Sequence, residues 1–458
     1  MGPVYRVAVA IAFSLVVGAC GDDGGSSNDG GQPGADSGTP LADAATGADA
    51  QVIQPNVFCP PLGPPTGPTS IVQIGESISA AVNAAAPNTT IHIENGVYDL
   101  SDDPVWIRTE GITLRSLSGN RAGVILEGDY NDNGSGGVIN VVADNVTIAD
   151  LSIRQSRFHA IHVSAGATAD TLGTRIYNVD IRDPGEQAIK INTGAGGFAD
   201  QGEVACSSIT MSRAGASFVN TQTSSGSNCY TGGIDAHDAR DWTVRDNYIS
   251  GFWCDGAGGA FLSEHAVHFW TGSRDTQVMR NKLVDNARGI GFGLGPGGRS
   301  YSDDPCPGIN DAGHYGGLIH NNVVVNVDTA LFASANGVQE GIALWAACDA
   351  TVLHNTVIFA DAGNSAIEWR YAQTTAVVAN NLTSHRLWAR SGTATLVTNA
   401  EETTLSNFVD FAGLDLHITS GTSVAVDQGT DQYVGLSATD LDGDSRDASP
   451  DIGADELD

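Results

Sequence analysis

Two short apolar patterns alternate along most of the chain. The first runs through NVTIADLSI (145–153), WTVRDNYIS (242–250), TQVMRNKLV (276–284), GLIHNNVVV (317–325), ATVLHNTVI (350–358) and AVVANNLTS (376–384). Each has an apolar residue, two variable positions, usually an asparagine, one variable position and a second apolar residue. Aligned this way, the asparagines are Asn247, Asn281, Asn321, Asn355 and Asn380. The second pattern is a five-residue strand: VINVV (138–142), AIHVS (160–164), AIKIN (188–192), GIDAH (233–237), AVHFW (266–270), GIGFG (289–293), GIALW (341–345) and AIEWR (366–370). Its second and fourth residues are mostly apolar and point inward; its third and fifth point outward.

The repeats return at irregular spacings of about 25–40 residues, the range of a solenoid. One repeat has no core of its own, and stacking creates one. Asparagines stacked in turns can bond their side-chain amides from coil to coil. These features predict an all-β chain, a right-handed parallel β-helix over 69–410. GESISAAVNAAAPN (75–88) reads as a short capping helix, with Ile78, Ala81, Val82 and Ala85 on one face. The Gly-rich stretches 194–231, 251–264 and 294–316 read as long loops on one side, a length that favours functional walls or lids.

Along the stack, the third positions of the second pattern are Asn140, His162, Lys190, Asp235, His268, Gly291, Ala343 and Glu368. The fifth are Val142, Ser164, Asn192, His237, Trp270, Gly293, Trp345 and Arg370. Lys190 is one of only two lysines in the chain. The alternation places it on the outer face, exposed, in a polar ladder with His162 and Asp235; neighbouring strands lie roughly 4.8 Å apart.

The formal charge is −32. Such a surface disfavours nucleic acid and anionic membranes. An apolar run from Val7 to Val17 follows Arg6 and has the length of a signal-peptide core over residues 1–19. Gly18 and Ala19 followed by Cys20 resemble a bacterial lipobox. The resemblance implies cleavage before Cys20, a lipid on its sulfur, and an exported, monomeric protein held at the outer membrane or cell surface through that lipid alone. Residues 20–68 read as a Gly/Ser/Asp/Pro tether. Six further cysteines predict up to three disulfides, with Cys206–Cys229 as the expected pair, and no cysteine–histidine spacing suggests zinc.

An outer face with three histidines, a lysine, carboxylates and two tryptophans suits a polysaccharide. Trp270 and Trp345 offer flat faces to sugar rings and N–H groups to hydroxyls, with Asn192, Glu368 and Arg370 beside them. Two reactions fit. In β-elimination of a polyuronate, Lys190 is the base, His162, His237 or His268 donates to the leaving oxygen, and Arg370, or calcium held by Asp235 and Asp238, binds the carboxylate. In glycoside hydrolysis, paired carboxylates come from Asp235, Asp238, Glu264 and Glu368. A binding or structural module needs neither constellation.

GEQAIK (185–190) resembles the acid-then-lysine strand of alginate- and dermatan-type β-helix lyases, which is consistent with elimination. The signatures of β-helix polygalacturonases and pectate lyases are absent. LDLHITSGTSVAVDQG (414–429) and DLDGDSRDASPDIGADE (440–456) resemble the segment ending many exported bacterial β-helix proteins, the choice-of-anchor Q type. That resemblance implies C-terminal coils and a cap over 411–458. The alternating carboxylates Asp440, Asp442 and Asp444 suit either a Ca²⁺ loop or a capping turn.

Overall fold

A computed structural model describes residues 58–131, 134–166, 169–194, 196–222, 229–255 and 263–457. The expected signal peptide, Cys20 and most of the expected tether lie outside these residues. Each coil contributes one strand to each of three long parallel sheets. Sheet I has twelve strands, from Thr69–Val72 to Thr393–Val397. Sheet II has ten, from Gly96–Asp99 to Leu382–Thr383, and sheet III ten, from Val105–Ile107 to Leu387–Ala389. The chain visits I, II and III in turn and returns to I one coil higher, as a right-handed parallel β-helix.

Strands of two to six residues cannot bury a side chain alone, so like residues stack. On the inside of sheet III the column Ile139, Ile161, Ile189, Ile234, Val267, Ile290, Ile342 and Ile367 is in continuous register, and every member is fully buried. Burying each such side chain stabilises the fold by roughly 1.5–3 kcal/mol relative to leaving it exposed.

The asparagine ladder forms at the turn from sheet I to sheet II. Asn247, Asn281, Asn322, Asn355, Asn381 and Asn399 pass an amide hydrogen bond from coil to coil at 2.9–3.0 Å. Two rungs differ from the sequence alignment: Asn322 and Asn381 stack, not Asn321 and Asn380. The turn needs a left-handed residue first and the stacking asparagine second. Asn321 and Asn380 take the first place, with φ of 53° and 55°, and hold the C-terminal segment instead. Asn322→Ala would strand polar groups of Asn281 and Asn355 in the buried turn. The expected cost is about 2–3 kcal/mol in chemical denaturation; a loss below about 0.5 kcal/mol would show the ladder to be incidental.

The helix Ile78–Ala84 is capped by Ser77, whose hydroxyl accepts from the Ala80 N–H, and buries Ile78 and Val82 against the first coils. The end of the predicted tether is laid against sheet I: Arg115 donates to the Gly63 carbonyl, Tyr177 to Pro60 and Arg245 to Phe58.

The C-terminal segment adds no parallel coil among the described residues. It forms an antiparallel pair, Phe408–Asp410 with Asp415–Ile418, and packs on the outside of sheet II. Phe408, Leu416, Ile418 and Ile452 cover Val284, Val323, Val325, Ile358 and Leu382. Those outward apolar residues of sheet II are what the strap exists to bury. Arg446 fastens it, donating to Glu456, the Gly453 carbonyl and Asn321. Asp440 Oδ1 accepts from the N–H groups of Asp442, Gly443 and Asp444 at 2.8–2.9 Å, the arrangement of a capping turn. Asp442 pairs with His417 at 2.6 Å.

The six cysteines form three disulfides, but not the expected pair. They are Cys59–Cys206, Cys229–Cys254 and Cys306–Cys348. Nearness in a solenoid follows the coil position, not the sequence interval. Cys206 ends a sheet I strand and meets the N-terminal segment; Cys229 precedes sheet III and meets the excursion one coil on.

Candidate functional site

The outer column of sheet III is in register throughout: Asn140, His162, Lys190, Asp235, His268, Gly291, Ala343 and Glu368. Asp235 is the direct neighbour of Lys190 because the intervening residues supply the rest of one coil and the helix Arg213–Gln222. The exposure expected of this column is not found. Lys190 is only 5% exposed, Asp235 2% and His268 0%. The long excursions wall the face: Thr231 bonds the Glu186 carbonyl and the Glu264 N–H bonds Thr231. The side chains of His237 and Trp270 close on the pair itself.

Lys190 Nζ donates to Asp235 Oδ2 and lies 3.0 Å from His237 Nε2. The same His237 nitrogen is 3.2 Å from Asp235 Oδ2. Trp270 donates its indole N–H to Asp235 Oδ1 at 2.7 Å. Burial acts to raise the Asp235 carboxyl, but Lys190, His237 and His268 outweigh it and hold the group well below the usual carboxylate range. Asp235 is therefore an ionised anchor with both oxygens engaged. His162 stands on the other side of Lys190; burial and the lysine charge lower it to about 4, so at neutral pH it is an uncharged imidazole. Tyr230, absent from the sequence-derived set, is raised by burial and by Asp235 and Glu264, and stays a phenol.

His268 cannot reach a substrate: it is fully buried and bonded through Nε2 to the Gly293 carbonyl. His237, at 27% side-chain exposure, and the half-buried His162 and Asn192 form the accessible edge. The tryptophan N–H groups do not point to solvent as expected. Trp345 donates to Glu368 Oε1 at 2.7 Å, as Trp270 does to Asp235, and each indole pins a buried carboxylate. Ser365 and Arg390 complete the Glu368 environment. Arg370 lies over Trp345 and Tyr371. Glu368 and Arg370 are five rungs from Lys190, about 24 Å at the strand spacing. That is too far for Arg370 to share a sugar with Lys190. Asp235 and Glu368, four rungs apart, are likewise outside the range of a hydrolytic pair. Asp238 accepts the Arg299 N–H at 2.8 Å and is engaged by that loop.

A further set of polar groups escaped the alternation: His159, Gln187, His265, Arg288 and Glu340. Each precedes the five-residue strand. At the corner from sheet II to sheet III two successive residues, such as Ala188 and Ile189, both enter the core. The residue before them therefore faces out. A period-two reading assigns it inward; the small residue at each strand start was the available signal.

No family model matches the sequence, and no curated protein matches it. Among solved structures the chain is similar to the pectate lyase Pel9A, at 14% identity over 86% of this chain and 97% of that one, with a TM-score of 0.49. It is also similar to an alginate lyase from Paenibacillus sp. str. FPU-7, at 13% identity over 73% and 99% of the two chains, with a TM-score of 0.46. A polygalacturonase from Erwinia carotovora ssp. carotovora is 12% identical over 76% and 96%, with a TM-score of 0.43. What the registered sheets themselves establish is the fold: this chain is a right-handed parallel β-helix.

Proposed function

We propose that the protein is a lipid-anchored, exported β-helix that holds an acidic polysaccharide along the outer face of sheet III and cleaves it by β-elimination. The observation that carries this reading is the Lys190–Asp235–His237 cluster: a buried ammonium and carboxylate under an accessible imidazole. In the reaction a base takes the C5 proton of a uronate. The electron pair forms the C4–C5 double bond, the C4–O4 bond breaks, and the leaving oxygen takes a proton. Lys190, already donating to Asp235, supplies positive charge rather than the base. His237 is the proton acceptor at the cleft edge, His162 lines the same edge as a neutral imidazole, and Tyr230 is the proton donor. Asn192 contacts the sugar. A calcium ion bridging substrate carboxylates would lessen their local repulsion by a chain whose formal charge is −32.

The test is ultraviolet absorbance of the unsaturated sugar end across a panel of polyuronates, with and without Ca²⁺. His237→Ala should lower turnover by about 10²–10⁴-fold while leaving the fold intact. New reducing ends without the absorbance would replace elimination with hydrolysis. Binding without cleavage would leave a recognition module, and no binding to any glycan would overturn the proposal.

A further inference from the structure

One coil beyond Asp235, three side chains of metal-ligating type converge. Glu264, His265 and His268 stand in the run SEHAVH, and one donor atom from each lies within 4.8 Å of the others. His268 donates from Nε2 to the Gly293 carbonyl at 3.1 Å, which leaves Nδ1 bare. That nitrogen is 3.4 Å from Glu264 Oε2 and 3.7 Å from Asp235 Oδ1, and among the described residues neither contact has good hydrogen-bond geometry. His265 is wholly buried, and neither of its ring nitrogens is hydrogen-bonded among the described residues. Its Nε2 lies 3.3 Å from Glu340 Oε1, which also pairs with Arg288 Nε at 3.3 Å. A buried polar atom is costly to leave without a partner. Several gathered at one point call for a ligand.

The chemistry of the donors selects that ligand. Nitrogen and carboxylate oxygen at about 2.0–2.2 Å from a tetrahedral zinc lie roughly 3.3–3.5 Å from each other. The His268–Glu264 contact has that spacing. Imidazoles suit zinc and its first-row neighbours, whereas calcium takes six to eight oxygens. Space is kept open by Gly291, where a Cβ would come within 2.8 Å of the His265 ring. The ladder is bare at that rung because the imidazole lies across it. Glu264, at 22% side-chain exposure, is the edge through which an ion enters.

We propose that Glu264, His265 and His268 form a binding site for a divalent first-row transition ion, with Glu340 flanking His265. The site does not depend on any glycan activity.

The test uses the purified full chain, stripped by chelator and titrated calorimetrically with Zn²⁺ and separately with Ca²⁺. About one equivalent of zinc should bind at this site, and calcium should not compete. His268→Ala and Glu264→Ala should abolish that equivalent, and Glu340→Gln should weaken it about 10–100-fold. His417→Ala, which removes a separate cluster with Asp442 and Asp455, should leave it intact. Anomalous scattering at the zinc edge from crystals of the unaltered protein should place a peak among Glu264, His265 and His268, whatever the variants' folding. Absence of binding, retention of the equivalent in folded His268→Ala, or no anomalous peak among these three residues would overturn the proposal.

Discussion

Lys190→Met is expected to destabilise the folded protein by about 3–5 kcal/mol, because it leaves an ionised carboxylate buried without its cation. Were Lys190 an exposed ladder residue, its removal would cost little. Its burial and its pairing with Asp235 reverse that expectation. The remaining partners of Asp235, the Trp270 indole and His237, cannot replace a full positive charge. The double change Lys190→Met with Asp235→Asn should recover most of the loss. Asparagine keeps an oxygen for the indole N–H, and no charge then remains to be compensated. Denaturant midpoints of the two single variants and the double variant form the cycle. Equal, additive losses would mean that the pair is not coupled, and a neutral Lys190→Met would mean that the cleft is wet.

Acid should loosen the fold well above the pH at which carboxylates ordinarily protonate. His314 and His320 are lowered by burial to about 3, and His354 by burial and Arg446 to about 2. His162 adds a fourth, at about 4. Unfolded, each returns to about 6.5. The unfolded chain therefore binds more protons below that pH, and stability rises with pH there. The contribution is complete above about pH 6.5 and is lost as pH falls toward the folded values, by about 2 kcal/mol per histidine at pH 5. Two of these rings carry a structural consequence. His354 donates to the Asp451 carbonyl and accepts from Asn380, and His320 bonds Ser437. Both bonds tie the C-terminal strap to the coils, so the strap should detach first. Denaturation at pH 7.5 and pH 5.0, with hydrogen exchange over residues 408–457, checks this. Equal midpoints at the two pH values would refute it.

The strap shows where residue pattern stops being informative. Val323, Val325 and Ile358 read as ordinary strand residues, and nothing local says whether sheet II faces water or more protein. Only the returning chain answers that, over sequence separations such as the 125 residues between Asn321 and Arg446. The disulfides are similar. Six cysteines in a chain expected to be exported imply oxidation, but which two meet is set by coil height and corner, and a guess from sequence interval fails.

The ladder from Asn140 to Glu368 was legible residue by residue, since side chains within a strand alternate by geometry and parallel coils stack like on like. The same rule passed over His159, His265, Arg288 and Glu340, because a corner interrupts the alternation. Burial was illegible for a different reason. Whether an outward residue meets solvent depends on what other segments cover it, and the walls over Lys190 come from loops whose paths carry no periodicity. The sequence by itself determined the fold, its repeat and the identity of the residues in the outer column, because short-range sterics and stacked apolar side chains suffice for these. Tertiary structure alone decided that Lys190 and Asp235 are a buried pair and that each indole holds a carboxylate. It alone gathered Glu264, His265 and His268 at one point, because desolvation and convergence are properties of chain segments that meet only in space.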